Sequence, residues 1–344
     1  MTQKPSRAAR WARRCVATLL GLAIALVFGE AAIRGFDLLG VSHYRDMLRY
    51  NNELFELCGP PRLFRHRANA VLQCRDFTIR TNDLGLRGPS IEVPKKTGER
   101  RLLFLGDSVT LGWGAEEQDL FLTLAEKELQ QYAEPGSTFR CVNAGHNLHD
   151  TAQELGVLQE LGDKIQPDAV LLTYAVNDVV STLALYEEAM KAPVQSPLMQ
   201  WIGWVLLVPF RGWGGLYNYF QQVHSGAEEV TFKEAVGAAL NSRGWVESRE
   251  SLVAMHAWCR QRGIPFLVLD HTPQGDGIVP AAIPGLRPLL QEHGIPHFPF
   301  HFTPEENRAP IRHSAADPHA NAAGHRLLLV KLRPALRSLG FRTR

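Results

Sequence analysis

The sequence predicts a three-layer α/β/α domain on a doubly wound parallel sheet, preceded by an N-terminal hydrophobic helix. Three observations carry this. Short, nearly uninterrupted apolar runs recur, as in "RLLFLG" (101–106) and "PDAVLLTYAVND" (167–178), and such runs suit strands buried on both faces. Stretches of helical periodicity separate them. Each run ends in small and polar residues, at the edge where open α/β sheets hold their ligands.

The chain has 344 residues, 45% hydrophobic and 21% charged, with net charge +2. Lys4, Arg7, Arg10, Arg13 and Arg14 put +5 into residues 1–14, leaving −3 on the remainder. A mildly acidic body argues against a nucleic-acid partner. The basic tail leads into the uncharged run Cys15–Gly29 in "CVATLLGLAIALVFGEAAIRGF". That run reads as an uncleaved signal anchor crossing the membrane through about residues 12–33, with Trp11 and Glu30 at its two headgroup layers. A cleaved signal, with "GEA" before Ala32, and a buried helix are the alternatives. Either signal reading places the body outside the cytoplasm, in the periplasm or beyond. Residues 1–35 are therefore read as basic tail and anchor, 36–98 as a connector of short strands and turns, and 99–344 as the main domain.

Within that domain, "RLLFLG" (101–106) is a strand and 117–132 a helix with apolar positions Leu120, Leu124 and Leu129 at helical spacing. "FRCVNAG" (139–145) is a second strand, followed by a helix over about 151–164. "PDAVLLTYAVND" is the third strand. A helix at about 245–262 leads into "IPFLVLDHTP" (264–273), "GIPHFPFH" (294–301) is a fifth strand, and 322–332 form the last helix. The aromatic-rich stretch at about 180–240 holds Trp201, Trp204, Phe210, Trp213, Tyr217, Tyr219 and Phe220. It reads as an extra buried helix, a cap over the site, or a segment at the membrane interface.

Of the five cysteines, Cys15 lies in the apolar run, and Cys141 and Cys259 fall in buried strand and helix patterns. Cys58 and Cys74 lie in the connector, where an oxidising compartment would let them pair. No spacing suits a metal: His297 and His301 have a helical interval, but Pro299 lies between them.

Three strands end in "GDS" (106–108), "VNAGHN" (142–147) and "AVND" (175–178), and "SAADPHANAAGH" (314–325) precedes the last helix. Asn321 suits the N-cap of that helix, which leaves Asp317 and His319 on a loop at the same edge. A serine, a histidine, an acid and an amide donor are the groups that acyl transfer requires.

In order and wording these blocks resemble the SGNH (GDSL-type) hydrolases, especially their bacterial membrane-anchored members. The likeness covers about 80–180 and 310–330: "TNDLGLRGP" (81–89), "LFLGDSVTLGWG" (103–114), "VNAGHNLHDTAQEL" (142–155), the Asn-Asp pair and "DPHANAAGH" (317–325). It implies a flavodoxin-like fold, Ser108 as nucleophile with its own N–H as an oxyanion donor, Asn177 as a side-chain donor, His319 as base and Asp317 as its acid. It implies no metal or organic cofactor. The sequence departs from the family in three places. Leu148 stands where the second block, Asn-x-Gly-x-x-Gly, ends in glycine, so the hole keeps Gly145, and either its last donor is the Leu148 N–H or it has only two donors. Ala175 replaces a glycine. The acid stands two residues before the histidine, with Ala316 at the usual place. His325 reads as a first-turn helix residue, Tyr174 and Trp113 as core or substrate contacts, and His146, His149, His271 and His313 as candidates for the pocket mouth. The implied activity is hydrolysis of a carboxylic ester, such as an O-acyl or O-acetyl group on carbohydrate. The alternatives are O-acyl transfer to envelope or exported polysaccharide, and a catalytically weak tethered binding or assembly protein.

Overall fold

The structure, a computed structural model, describes residues 6–184, 187, 243–272, 283 and 285–344. The aromatic stretch, including Trp201, Trp204, Phe210, Trp213, Tyr217, Tyr219 and Phe220, lies outside the described residues. The described residues divide into two units, 6–47 and those from Leu48 onward.

In the first unit α1 (Arg7–Phe36) is one helix of 30 residues, N-capped by Ser6, whose side chain accepts from Ala9 N. Its apolar window has a mean hydropathy of 2.2, so the helix is long and apolar enough to cross a membrane. At about 1.5 Å per residue the run Cys15–Gly29 alone falls short of the hydrocarbon core, and the flanking turns supply the missing length. Asp37 ends the helix in a left-handed conformation, φ 45°. Its carboxylate accepts from Ser42 N at 2.7 Å and Ser42 Oγ at 2.8 Å, where α2 (Ser42–Arg49) starts.

The second unit begins with two antiparallel hairpins, β1 (Phe55–Gly59) with β2 (Leu63–His66) and β3 (Val71–Gln73) with β4 (Thr78–Arg80). Cys58 and Cys74 form no disulfide. The expected pairing fails because Cys58 stands exposed on β1 of the first hairpin while Cys74 is buried in the turn of the second.

The sheet that follows is parallel throughout. Its strands are β5 (Glu99–Gly106), β6 (Thr138–Gly145), β7 (Ala169–Tyr174), β8 (Phe266–Asp270) and β9 (His297–Pro299), in the spatial order β6-β5-β7-β8-β9. That is the doubly wound order, and the winding reverses between β5 and β7, so a crevice opens at their carboxyl ends. The strand side chains alternate between two cores. Leu103, Leu105, Val142, Val170 and Leu172 face one with α5 (Thr151–Ile165), α6 (Arg243–Gln261) and α7 (Leu286–Glu292). Leu102, Phe104, Leu171, Leu267 and Leu269 face the other with α4 (Phe121–Gln131) and α8 (Ala322–Ser338). A single-turn helix, α3 (Ser108–Leu111), follows β5 directly.

The last helix runs past the expected end at 332, through Pro334 to Ser338. Proline costs a helix hydrogen bond, but Leu332, Ala335 and Leu336 are all buried at helical spacing, and that packing carries the helix onward. The fifth strand is only three residues long, because Pro299 removes a ladder donor.

Candidate active site

Three of the four sequence blocks meet at the crevice, and the second, with Gly145 and Leu148, does not line it. The turn from β5 into α3 carries Ser108, and Asp107 caps it by accepting from Val109 N at 2.9 Å. The loop 312–321 carries Asp317 and His319. It is stitched by His313 N to His319 O at 2.7 Å, Ser314 N to Asp317 O at 3.1 Å, and the Asn321 side chain, which donates to Pro310 O and Arg312 O and caps α8. His319 Nε2 lies 2.8 Å from Ser108 Oγ, and His319 Nδ1 lies 2.6 Å from Asp317 Oδ1. The Asp317 side chain is fully buried and that of His319 is 23% exposed. A hydroxyl bonded to an imidazole whose far nitrogen meets a buried carboxylate can pass its proton to that imidazole.

These residues open on a cavity of about 420 Å³ whose lining includes Ser108, Ala175, Asn177 and His319. Asn177 sits in the 3₁₀ turn Val176–Val179 after β7. Ala175 before it has φ −111°, an extended conformation that needs no glycine.

The expected oxyanion donors part company. No described residue accepts the backbone N–H of Ser108 or of Leu148. Gly145 donates its N–H to Asn143 Oδ1 at 3.0 Å and has none to offer an oxyanion, which corrects the expectation for it. Its glycine has another use. A Cβ there would stand 2.1 Å from Leu111 N, so only glycine lets β6 lie against α3. Leu148 has φ 68°, the left-handed conformation that a Cβ disfavours, and its side chain is 51% exposed.

The histidines also sort themselves. His146 and His149 do not reach the cavity but are buried in a column with His66, with ring centroids 3.8 Å apart for His66–His146 and 4.2 Å for His146–His149. Burial holds His66 and His149 down to about 3, and His146 well below its ordinary range. His313 packs its ring edge-on to Phe77. His271 lines the cavity with Nδ1 2.8 Å from Phe300 O. His325 also lines it, yet its Nδ1 accepts from Phe121 N at 3.3 Å and burial lowers it to about 3.

Two residues gained no role from the sequence. Trp113, read there as core or substrate contact, is 1% exposed and donates Nε1–H to Asp317 Oδ2 at 3.0 Å. Arg87, inside the "TNDLGLRGP" block, is buried and bonds the carbonyls of Leu111, Gly112, Thr78 and Ala115, bracing the turn that follows Ser108. Burial lowers its guanidinium to about 10. A charged group in the middle of a block was the signal for Arg87, whereas an indole donor leaves no spacing to read.

No protein-family model matches this chain, and no curated protein does. Among solved structures it is similar to TesA, at 18% identity and a TM-score of 0.44, covering 70% of this chain and 99% of that one. It is similar to the psychrotrophic esterase EstA from Pseudoalteromonas sp., at 11% and 0.42, covering 70% and 98%. It is also similar to a member of the lipolytic protein G-D-S-L family from Veillonella parvula, at 13% and 0.39, covering 70% and 98%.

Proposed function

We propose that the chain is an SGNH-type serine hydrolase that cleaves carboxylic esters through an acyl-enzyme and is held outside the cytoplasm by α1 as a signal anchor. The observation that carries this reading is the line from Ser108 through His319 to the buried Asp317, with distances of 2.8 and 2.6 Å, at the wall of a cavity.

Ser108 Oγ attacks the ester carbonyl while His319 Nε2 takes its proton. Asp317 holds the Nδ1–H tautomer and balances the imidazolium. The oxyanion is met by the Ser108 N–H, the Asn177 side chain and the Leu148 N–H. The imidazolium then returns its proton to the leaving alkoxide, which departs as an alcohol and leaves an ester on Ser108. A water, deprotonated by His319, releases the acid. The chemistry asks for no metal or organic cofactor.

Held by such an anchor, the site would meet exported and envelope molecules, so the substrate we assign is an O-acyl or O-acetyl ester of carbohydrate. The test uses the full-length protein in mild detergent with a fluorophosphonate serine probe and a Ser108→Ala control. Labelling that vanishes in the control supports the reading. A folded protein that does not label overturns it in favour of a tethered binding protein. Product analysis with acetylated sugars and a free sugar acceptor separates hydrolysis from acyl transfer.

A further inference from the structure

Beneath the Asn177 turn lies a buried acidic cluster that the proposed mechanism does not use. Glu154, on the first turn of α5, has no solvent exposure, no described residue donates to either of its carboxyl oxygens, and its one hydrogen-bonding neighbour is the Asp178 carboxyl, to which only a protonated Glu154 can donate. The charged groups acting on it most strongly are all acidic: Asp178 on the turn after β7, Asp107 at the cap of α3, and Asp150 at the cap of α5. Tyr174, at the end of β7, also feels its charge.

Each of the three aspartates accepts hydrogen bonds from backbone or hydroxyl donors. Asp107 accepts from Val109 N. Asp150 accepts from Ala152 N, Gln153 N and Thr182 N. Asp178 accepts from Ala175 N at 2.6 Å and from Thr151 Oγ1 at 2.9 Å. Because Thr151 spends its single hydroxyl proton on Asp178, the remaining contacts have one direction. Ser248 donates to Thr151 at 3.0 Å, and Tyr174 donates to Ser248 at 2.8 Å. This relay of hydroxyls ends on the Asp178 carboxylate, which therefore accepts from both sides. Glu154 receives nothing, and a bare carboxylate among three acids in a dry core is the costly state.

We propose that Glu154 is a positioning residue of the same site, an uncharged carboxylic acid that lets the Asp178 anion hold the Val176–Val179 turn and so the Asn177 amide. This rests on the serine hydrolase reading, since only there does Asn177 have an oxyanion to meet. Burial and the acidic neighbours raise both Glu154 and Asp178 well above their ordinary range, so the pair holds a proton, and the two donors on Asp178 leave that proton on Glu154. Its ionisation would place a second anion beside Asp178 and push the turn away.

The test is the pH profile of kcat/KM for the full-length protein and for Glu154→Gln, a neutral isostere that cannot ionise. The wild type is expected to fall about tenfold on the alkaline side, between about pH 7.5 and 10. Glu154→Gln, lower by about two- to fivefold at pH 7.5, is expected to fall less than about threefold over that range. Parallel profiles, or a wild type with no alkaline fall, overturn the proposal. Should the variant not fold, infrared spectra of the wild type decide. A protonated carboxyl band at pH 7 that persists in Asp178→Asn and that disappears from the wild type together with activity as pH rises supports the assignment, and its absence at pH 7 sinks it. A wild type that neither labels nor hydrolyses overturns the serine hydrolase reading instead, and the infrared band still reports on Glu154.

Discussion

The indole of Trp113 and the carboxylate of Asp317, 204 residues apart in sequence, are joined by a buried hydrogen bond of 3.0 Å. It occupies Asp317 Oδ2, while Oδ1 accepts from both the backbone N–H and the Nδ1 of His319. The acid is thus held on both oxygens. Trp113→Phe keeps the ring packing against Tyr50 and Phe77 and removes only the donor. An unserved buried carboxylate oxygen costs about 1–3 kcal/mol. The expected result is a fall in kcat of about tenfold with KM little changed, read with a small soluble ester. A rise in KM alone, with kcat unchanged, would mean that Trp113 serves binding.

Asp317→Asn leaves the packing of the loop and replaces the anion with a neutral amide. His319 then loses the group that fixes its tautomer and balances its charge. A loss of about 10³–10⁴ in kcat is expected, the order known for such a change in a Ser-His-Asp triad. The unfolding midpoint should hold to within a few degrees, since the substitution is isosteric. Retention of most activity would show that another acid orients His319.

Leu148 carries strain that can be measured. At φ 68° a leucine costs about 1–2 kcal/mol, while glycine there costs about 0.5–1 kcal/mol in unfolded-chain entropy. The side chain is 51% exposed, so its removal opens no core cavity. Leu148→Gly should therefore raise the unfolding midpoint by about 1–3 °C in thermal denaturation. A lower midpoint would mean that the leucine side chain packs well enough to outweigh its backbone.

Much of this was legible because the physics is local. Leu102–Leu105 and Val170–Leu172 are buried on both faces, and such strands must read as continuous apolar runs. Parallel order then sends their polar ends to one edge, which is why Ser108, Asn177, Asp317 and His319 could be gathered from three separate blocks. What the sequence hid is whatever depends on approach between distant backbones. The Gly145 N–H is closed by a side chain two residues away, and its missing Cβ answers to Leu111 on another element. Cys58 and Cys74 stand close enough in sequence to invite pairing, but they sit on separate hairpins. His146 and His149 stand beside the second block, yet they turn inward to stack with His66, a partner 80 residues from His146. Periodicity cannot report such a column, because its members come from β2 and from an irregular loop.

That column sets how the protein responds to acid. His66, His149 and His325 are held to about 3 by burial, and His146 is lowered in the same direction. Unfolded, each titrates near 6.5. Below that value the unfolded chain binds protons that the folded chain refuses, so stability falls as pH falls. Each group contributes up to about 1.4 kcal/mol per pH unit between about pH 6.5 and 3. Glu154 and Asp178 act in the opposite sense, since burial raises both and acid favours their folded form. Asp150 and Glu126 are raised as well and His271 and His256 lowered, which adds two on each side, so the four most deeply buried histidines still leave a net loss. The unfolding midpoint should therefore drop steadily from pH 6.5 to 5, above the range where ordinary carboxylates titrate. His149→Gln removes one of the four and should flatten the slope of unfolding free energy by about one proton. A midpoint independent of pH across that window would mean that the histidines are already charged, or reached by water, in the folded protein. An unchanged slope in His149→Gln would clear that residue alone and leave the other three to carry the effect.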